Sequence, residues 1–484
     1  MATYPVELIG ILVALGLLIF LAFRGFTLLL AAPAAALVAA VFSGEPLLAK
    51  WTLTFMEATA NFIRNFFPLF LLGGLFGKLM DDSGAALSIA RSIVDKLGES
   101  RATLAVVLAC AVLTYGGVSL FVVAFAVYPV ASALFKQASV PHRLIPAAIS
   151  LGAFTFTMTA LPGTPAIQNA IPMAFFGTTL FAAPVLGIIA TAVMLAFGMW
   201  WLRLVEGRAR AAGEGYGKDD EAPSGDTEIV RQKGANAENF DTAELAHGQR
   251  SAQLPGFALS IAPVVLVLLV NLAMSLFVLP RADTDFLAER FDTTLAAVSG
   301  VWSVVVALAI ASALVLVLFR QRLGDWRKSV DAGATASVLP LLNTASLVGF
   351  GAVVAALPAF AVVRDGFLAV PGGPLVSIAV ATNVMAGITG SASGGLTIAL
   401  NALGTTYAEL AAAAGISAEL MHRVAAIGSG ALAMLPHNGA VVTLFAICGA
   451  TQRGSYREVM MVGLIGPLLA LSCVIVLGKL FGAF

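Results

Sequence analysis

Thr159-Ala160-Leu161-Pro162-Gly163-Thr164-Pro165-Ala166-Ile167-Gln168-Asn169 lies where hydropathy places the middle of a membrane helix, yet its two prolines and its glycine cannot continue one. In hydrocarbon an unpaired N–H or C=O is costly, so irregular backbone survives only inside protein or against a wet cavity. The residue before each proline is driven from helical angles, so Leu161 and Thr164 mark an unwinding and a half-helix restarts near Ala166. Its amino end turns free N–H groups and a partial positive charge inward, which suits an anion. The chain repeats the interruption at Leu435-Pro436-His437-Asn438-Gly439-Ala440, 274 residues downstream. A simple proline kink is the alternative for either break taken alone.

Of 484 residues 59% are hydrophobic and 11% charged, against about 25% charged in soluble domains. The chain is therefore an all-α polytopic membrane protein, with the lipid bilayer as its solvent. Formal net charge is zero and no basic block points to nucleic acid. Cys110, Cys448 and Cys473 sit in apolar runs without metal-ligand spacing and read as small core residues. No phosphate loop, His/Cys metal cluster or Ser-His-Asp pattern is present, which disfavours an ATP-driven pump or an intramembrane hydrolase and implies neither cofactor nor metal. The first apolar run, Leu8 to Phe23, has no basic leader and reads as an uncleaved helix.

Spanning runs lie near 6 to 23, 26 to 42, 66 to 80, 103 to 135, 144 to 180 and 182 to 202, then 257 to 279, 296 to 319, 335 to 363, 373 to 404, 421 to 450 and 456 to 481. Between the two sets, residues 203 to 252 carry ten acidic and seven basic residues without apolar periodicity, so they read as a cytoplasmic hydrophilic linker between repeats 1 to 202 and 253 to 484. An offset of 274 pairs Phe76-Gly77 with Phe350-Gly351, Gly116 with Gly390, Ser119 with Ser393, and Leu161-Pro162 with Leu435-Pro436. In each half a Gly/Ser break precedes a Leu-Pro break by 46 residues, the sign of an internal repeat. Basic clusters at Arg203, Arg208 and Arg210, and at Arg320, Arg322, Arg327 and Lys328 in a second short loop, face the cytoplasm by the positive-inside rule. That assignment agrees with inverted topology for the halves.

Thr114-Tyr115-Gly116-Gly117-Val118-Ser119 divides its run into arms too short to span, which predicts a re-entrant hairpin; a glycine kink is the alternative. The matching tip in the second half, Asn383 to Gly395, adds Asn383, Thr389, Ser391 and Ser393, whose oxygens suit a cation or a carboxylate. His437 alone at a break titrates near neutral pH unaided, so it is a proton-coupling candidate, a hydrogen-bond donor to substrate, or a structural residue. His142-Arg143 and His422-Arg423 read as structural groups facing an interface. Arg64, Lys78, Asp81 and Asp82, where the third run ends, read as interfacial, with a coupling site as the alternative. Arg364-Asp365 reads as a loop pair.

Ala153-Phe154-Thr155-Phe156-Thr157-Met158-Thr159 leading into the first proline break, the second break from Leu435 to Ala440, and Gly73-Gly74-Leu75-Phe76-Gly77 together resemble the gluconate permease family, within the superfamily of ion-coupled carboxylate transporters. The similarity runs over nearly the whole chain outside 203 to 252. The resemblance implies a homodimeric secondary transporter of the bacterial inner membrane, with a fixed part and a mobile part that shifts as an elevator. It implies that two hairpin tips, Gly116, Gly117 and Ser119 with Thr389, Gly390, Ser391 and Ser393, enclose the substrate. Two breaks complete that enclosure, Pro162, Gly163 and Thr164 with Pro436, His437 and Asn438, the latter running into Gly439. Sodium-using relatives carry Ser-Asn-Thr at both tips; Tyr115-Gly116-Gly117 departs from that pattern and favours a proton over sodium. Implied substrates are small organic acid anions such as gluconate, 3-hydroxybutyrate or glycerate, with a sodium-coupled di- or tricarboxylate transporter as the alternative. From other classes, a membrane enzyme with His437 as base and a passive channel also compete. On every transport reading, unpaired peptide groups at the breaks meet the solute.

Overall fold

A computed structural model describes residues 4–24, 26–217, 254–436 and 438–484. Most of the hydrophilic stretch 203 to 252, and His437, lie outside the described residues. The described chain is helical throughout, with no strand. That is the solution hydrocarbon permits, because a helix pairs its own backbone groups. Among the described residues seven helices are long and apolar enough to cross a membrane, or nine if two bent pairs each count as one span.

The first half runs Tyr4–Phe23, Leu28–Phe42, Leu47–Asp82, Ala85–Leu97, Ala102–Tyr115, Leu120–Gln137, Ile145–Ala153, the single turn Phe156–Thr159, Ile167–Phe176 and Pro184–Ala211. The second runs Phe257–Arg281, Asp285–Phe291, Leu295–Phe319, Trp326–Ala355, Phe360–Leu368, Pro374–Thr389, Ala392–Ala413, Ala418–Met434, Gly439–Cys448 and Gln452–Phe481. Three spans extend past their apolar runs. The third begins at Leu47 rather than near 66, Pro184–Ala211 carries Arg203, Arg208 and Arg210 within it, and Arg327 and Lys328 occupy the first turn of a helix rather than a loop. Hydropathy registers where lipid ends, whereas main-chain pairing continues into water as long as the residues tolerate helix.

Close approach positions the elements around the breaks. Ala31, Ala35 and Ala39, at four-residue spacing on Leu28–Phe42, are fully buried, and that helix packs on Val338–Ala355. Gly395 brings Ala392–Ala413 onto Pro374–Thr389 so closely that a Cβ there would lie 2.2 Å from Ala386 N. These two helices form an antiparallel hairpin closed by Gly390, at φ +69°. The equivalent arms in the first half are Ala102–Tyr115 and Leu120–Gln137.

Candidate functional site

The tip of the first hairpin closes on itself. Gly116 N donates to Val112 O, Gly117 N to Thr114 O and Val118 N to Leu113 O, so the helix end is satisfied without solvent. Gly117 has φ +92°, and a Cβ on it would sit 2.9 Å from Pro165 Cγ. A hairpin tip and a helix break thus touch, at a position only glycine fits. Gly116 faces elsewhere, against Val264.

At the first break the expectation of unpaired carbonyls is corrected, because protein donors reach them. Tyr115 Oη donates to Pro162 O (2.8 Å), Asn271 Nδ2 to Gly163 O (3.3 Å) and Asn169 Nδ2 to Thr164 O (3.1 Å). Gly163, at φ +82°, lies against Phe181. Buried backbone tolerates few orphans, so the fold supplies side-chain partners for the oxygens. What the break presents instead is the amino end of Ile167–Phe176, which lines a cavity of about 130 Å³ through Pro165, Ala166, Ile167 and Gln168. Gly73, Gly74, Thr114, Gly117, Ser119 and Ser337 share that lining. Thr114 Oγ1 and the fully buried Thr164 Oγ1 have no hydrogen-bond partner.

In the second half the expected site residues serve the local backbone. Asn383 Oδ1 accepts from Leu432 N (3.3 Å) and its Nδ2 donates to Ala379 O (3.2 Å), which ties the hairpin to the second broken helix. Thr389 Oγ1 donates to Met385 O, and Ser391 caps its helix by accepting from Gly394 N (3.0 Å), with buried Ser393 3.5 Å away. Pro436 O accepts from Gln452 Nε2, while Asn438 caps the helix beginning at Gly439 by accepting from Ala440 N (2.7 Å). None of these residues lines the 130 Å³ cavity. The four interruptions nevertheless meet. Met158, Ala386, Ala392 and Ala433 form one buried cluster with Leu120 and Ala166 against it, drawing one residue or more from beside each tip and each break.

Behind the first break lies a polar network that local sequence does not announce. Arg423 and His422 do not face an interface; both are fully buried. Arg423 donates to Ala182 O through Nε (3.0 Å) and Nη2 (2.6 Å), and through Nη1 to Thr159 O (3.2 Å) and Asn169 Oδ1 (3.1 Å). A longer bond joins Nη2 to Leu180 O at 3.4 Å. His422 Nε2 donates to Asn169 Oδ1 (3.1 Å), and its Nδ1 shares a hydrogen bond with Thr178 Oγ1 (2.6 Å). Asn169, one residue past Gln168 of the cavity wall, is thereby fully used. No carboxylate pairs with Arg423 among the described residues, so the network holds a net positive charge beside a helix amino end. The flanking charge, the hydroxyls of Thr114 and Ser337 and the amide of Gln168 were not singled out from the sequence; for Ser337 no local pattern marks it.

The interfacial reading of Lys78, Asp81 and Asp82 is likewise corrected for three buried residues, while Arg64 is exposed. Lys78 Nζ stands 3.0 Å from Asp82 Oδ1 with both side chains out of solvent. His142 and Arg143 do lie at a helix end, where Arg143 pairs with Glu214 (2.7 Å) and Glu458 (3.0 Å). Its hydrogen bond holds the Glu214 carboxyl below the usual range. Among the described residues no group of three or more His, Cys, Asp or Glu could hold a metal ion.

A bundle of membrane-crossing helices around internal breaks and a polar-edged cavity belongs to the class of multi-pass membrane transporters, and sequence relatives carry that description. The chain is 44% identical over 474 residues to "Uncharacterized transporter YxjC" of Bacillus subtilis, an alignment covering 95% of this chain and 96% of that one. It belongs to that transporter family. An "Uncharacterized transporter" of Haemophilus influenzae is 36% identical over 94 residues, 19% of this chain and 22% of the relative. No protein-family model matches the sequence.

Proposed function

We propose that this transporter is a symporter of the bacterial inner membrane that carries a small organic acid anion together with a proton, on the pattern of the gluconate permease family. The observation that carries the reading is the junction of first tip and first break: Gly117 against Pro165, with the amino end of Ile167–Phe176 on the cavity wall and the uncompensated charge of Arg423 one layer behind. Helix amino ends and fixed guanidinium charge both favour a carboxylate. Ser119, Thr114 and Gln168 supply hydroxyl and amide groups suited to a hydroxylated chain.

Two inverted repeats are part of the proposal. Support comes from element order: shifting Ala102–Tyr115, Leu120–Gln137 and Ile167–Phe176 by 274 residues superposes them, to within two residues at either end, on Pro374–Thr389, Ala392–Ala413 and Gly439–Cys448. An elevator shift and a homodimer follow from the family resemblance, and a cytoplasmic linker from the basic residues Arg203, Arg208 and Arg210 beside it. The test is uptake of labelled gluconate and 3-hydroxybutyrate into proteoliposomes, with and without an inside-alkaline pH gradient. Accumulation that a proton ionophore abolishes supports the reading. Equilibration without accumulation points to a channel, and accumulation driven by sodium alone overturns the coupling ion.

A further inference from the structure

We infer that the coupling proton resides on Asp82, in a buried site formed with Lys78 and Ser329; the inference rests on the organic-acid symport reading and locates its second cargo. Lys78 and Asp82 face each other at 3.0 Å across one turn of Leu47–Asp82, with side-chain exposures of 1% and 0%. The contact is ionic without hydrogen-bond alignment, and neither carboxylate oxygen of Asp82 has a hydrogen-bond partner. A carboxylate offers about four acceptor sites, so a fully buried one this poorly occupied is unusual. Intramembrane ionisable groups are costly and mark ion pathways when kept.

The neighbouring helix brings a third orphan to the same level. A Cβ on Gly74 would meet Gly333 O and Ser337 Cβ, and one on Gly333 would meet Lys78 Cβ at 3.1 Å, so Trp326–Ala336 runs antiparallel along Leu47–Asp82. One further turn on each helix sets Ser329 level with Asp82. Ser329 is fully buried and its Oγ also lacks a partner. The site is close to the cargo: Gly74 lines the cavity one turn from Lys78, and a Cβ on Gly77 would approach Ser119 N of the first tip to 3.5 Å.

Asp81 lines a separate crevice with Arg91 and Asp95 of Ala85–Leu97. Trp326–Ala336 carries Arg327, Lys328 and Asp331, all exposed, and Leu120–Gln137 carries exposed Lys136. The segments 102–109, 257–273, 295–319 and 338–355 contain no ionisable side chain.

Charge neutrality then couples the two cargoes. In the empty carrier Asp82 is ionised and balances Lys78. When a monocarboxylate enters, its charge balances Lys78 instead, and an Asp82 oxygen takes a proton from a hydronium ion of the entry side, whose O–H bond breaks to leave water as the Asp82 O–H bond forms beside the neutral Ser329. Loaded and empty interiors then carry the same charge, with Arg423 unchanged behind the first break, whereas either cargo alone changes that charge by one unit in low dielectric. The proton leaves to water when the anion leaves.

The test compares wild type with Asp82→Asn, using labelled gluconate and 3-hydroxybutyrate in proteoliposomes. Under a gradient of about one pH unit, one-to-one coupling gives the wild type roughly tenfold accumulation. Asp82→Asn is expected to keep counterflow exchange within about threefold of wild type, while accumulation falls to equilibration (a ratio of about one). Gluconate binding measured calorimetrically in buffers of different ionisation enthalpy is expected to take up one proton in the wild type and none in the variant. Should Asp82→Asn not fold, Asp82→Ser, which keeps Lys78 and puts a smaller neutral group at the site, gives the same readouts. Gradient-driven accumulation equal to wild type in either variant overturns Asp82 alone. Wild-type vesicles that exchange but accumulate nothing under the gradient overturn proton coupling and this site with it, and wild-type vesicles that neither exchange nor accumulate overturn the functional reading itself.

Discussion

Replacing Asn169 by Asp tests whether the charge of Arg423 reaches the cargo. The substitution keeps the acceptor bonded to Arg423 Nη1 and His422 Nε2, both at 3.1 Å, and replaces the amide that donates to Thr164 O and Leu180 O. Leu180 O still accepts from Gly163 N (2.9 Å) and Arg423, so a single carbonyl, that of Thr164, loses its donor. One orphaned carbonyl costs about 1–3 kcal/mol, and a charge-assisted bond from Arg423 returns a similar amount, so stability changes by roughly 1–2 kcal/mol in either direction. The effect on an anion is larger and has one sign. At ~8 Å and an effective dielectric of about 20, one unit of charge contributes roughly 2 kcal/mol, or roughly 30-fold in affinity. Balancing the charge of Arg423 in this way should therefore raise the KM for gluconate about 30-fold, with a thermal-midpoint shift in detergent no larger than that stability change implies, read by uptake kinetics and a thermal-shift assay. A variant with wild-type KM and wild-type midpoint would refute the argument, since the guanidinium would then be a structural clamp whose charge the substrate does not feel.

Gly117→Ala places a Cβ against Pro165 at φ +92°, so it should cost about 1–3 kcal/mol and abolish uptake, as checked by thermal shift and transport on one sample. Asn438→Ala removes the cap on Ala440 N and should lower stability by about 1 kcal/mol while slowing uptake, measured by denaturation midpoint and initial rate. Thr164→Val deletes a buried hydroxyl without a partner; an unchanged or raised thermal midpoint combined with lost uptake would assign that hydroxyl to the cargo. Because Arg143 depresses the Glu214 carboxyl, the stability of this pair is present above the unfolded carboxylate range and lost as pH falls through the folded value. The pair is partly exposed, so Glu214→Gln should lower stability by less than about 1 kcal/mol at neutral pH and by nothing in acid, followed as the thermal midpoint across pH.

The helical class and the interruptions were legible because their causes are local. Pro162 and Pro165 remove two N–H donors within four residues and Gly163 adopts φ +82°, which together interrupt a helix where single prolines such as Pro68 and Pro129 stay inside theirs, and Gly390 closes a hairpin through its own backbone freedom. The apolar runs marked lipid-facing length and missed the helix ends, since Arg208 and Arg327 sit comfortably in exposed helical turns. The polar environment of the breaks was not legible. Arg423 meets Thr159 and Asn169 across more than 250 positions, and nothing in the run around it distinguishes a buried guanidinium from one at an interface. For the same reason Lys78 and Asp82 looked interfacial at the end of an apolar run, although a neighbouring helix covers them. The second tip shows the converse: Thr389, Ser391 and Asn383 suggested ligands by their oxygens, yet Thr389 and Ser391 bond backbone groups a few residues away and Asn383 Oδ1 accepts from Leu432 N of the second broken helix.

The most direct measurement is a density map of the protein with bound gluconate or 3-hydroxybutyrate. The account predicts the carboxylate at the amino end of Ile167–Phe176, between Ser119 and Gln168, with Gly117 still against Pro165. A ligand seated in the crevice of Asp81, Arg91 and Gln137, with the cavity at the first break unfilled, would contradict it.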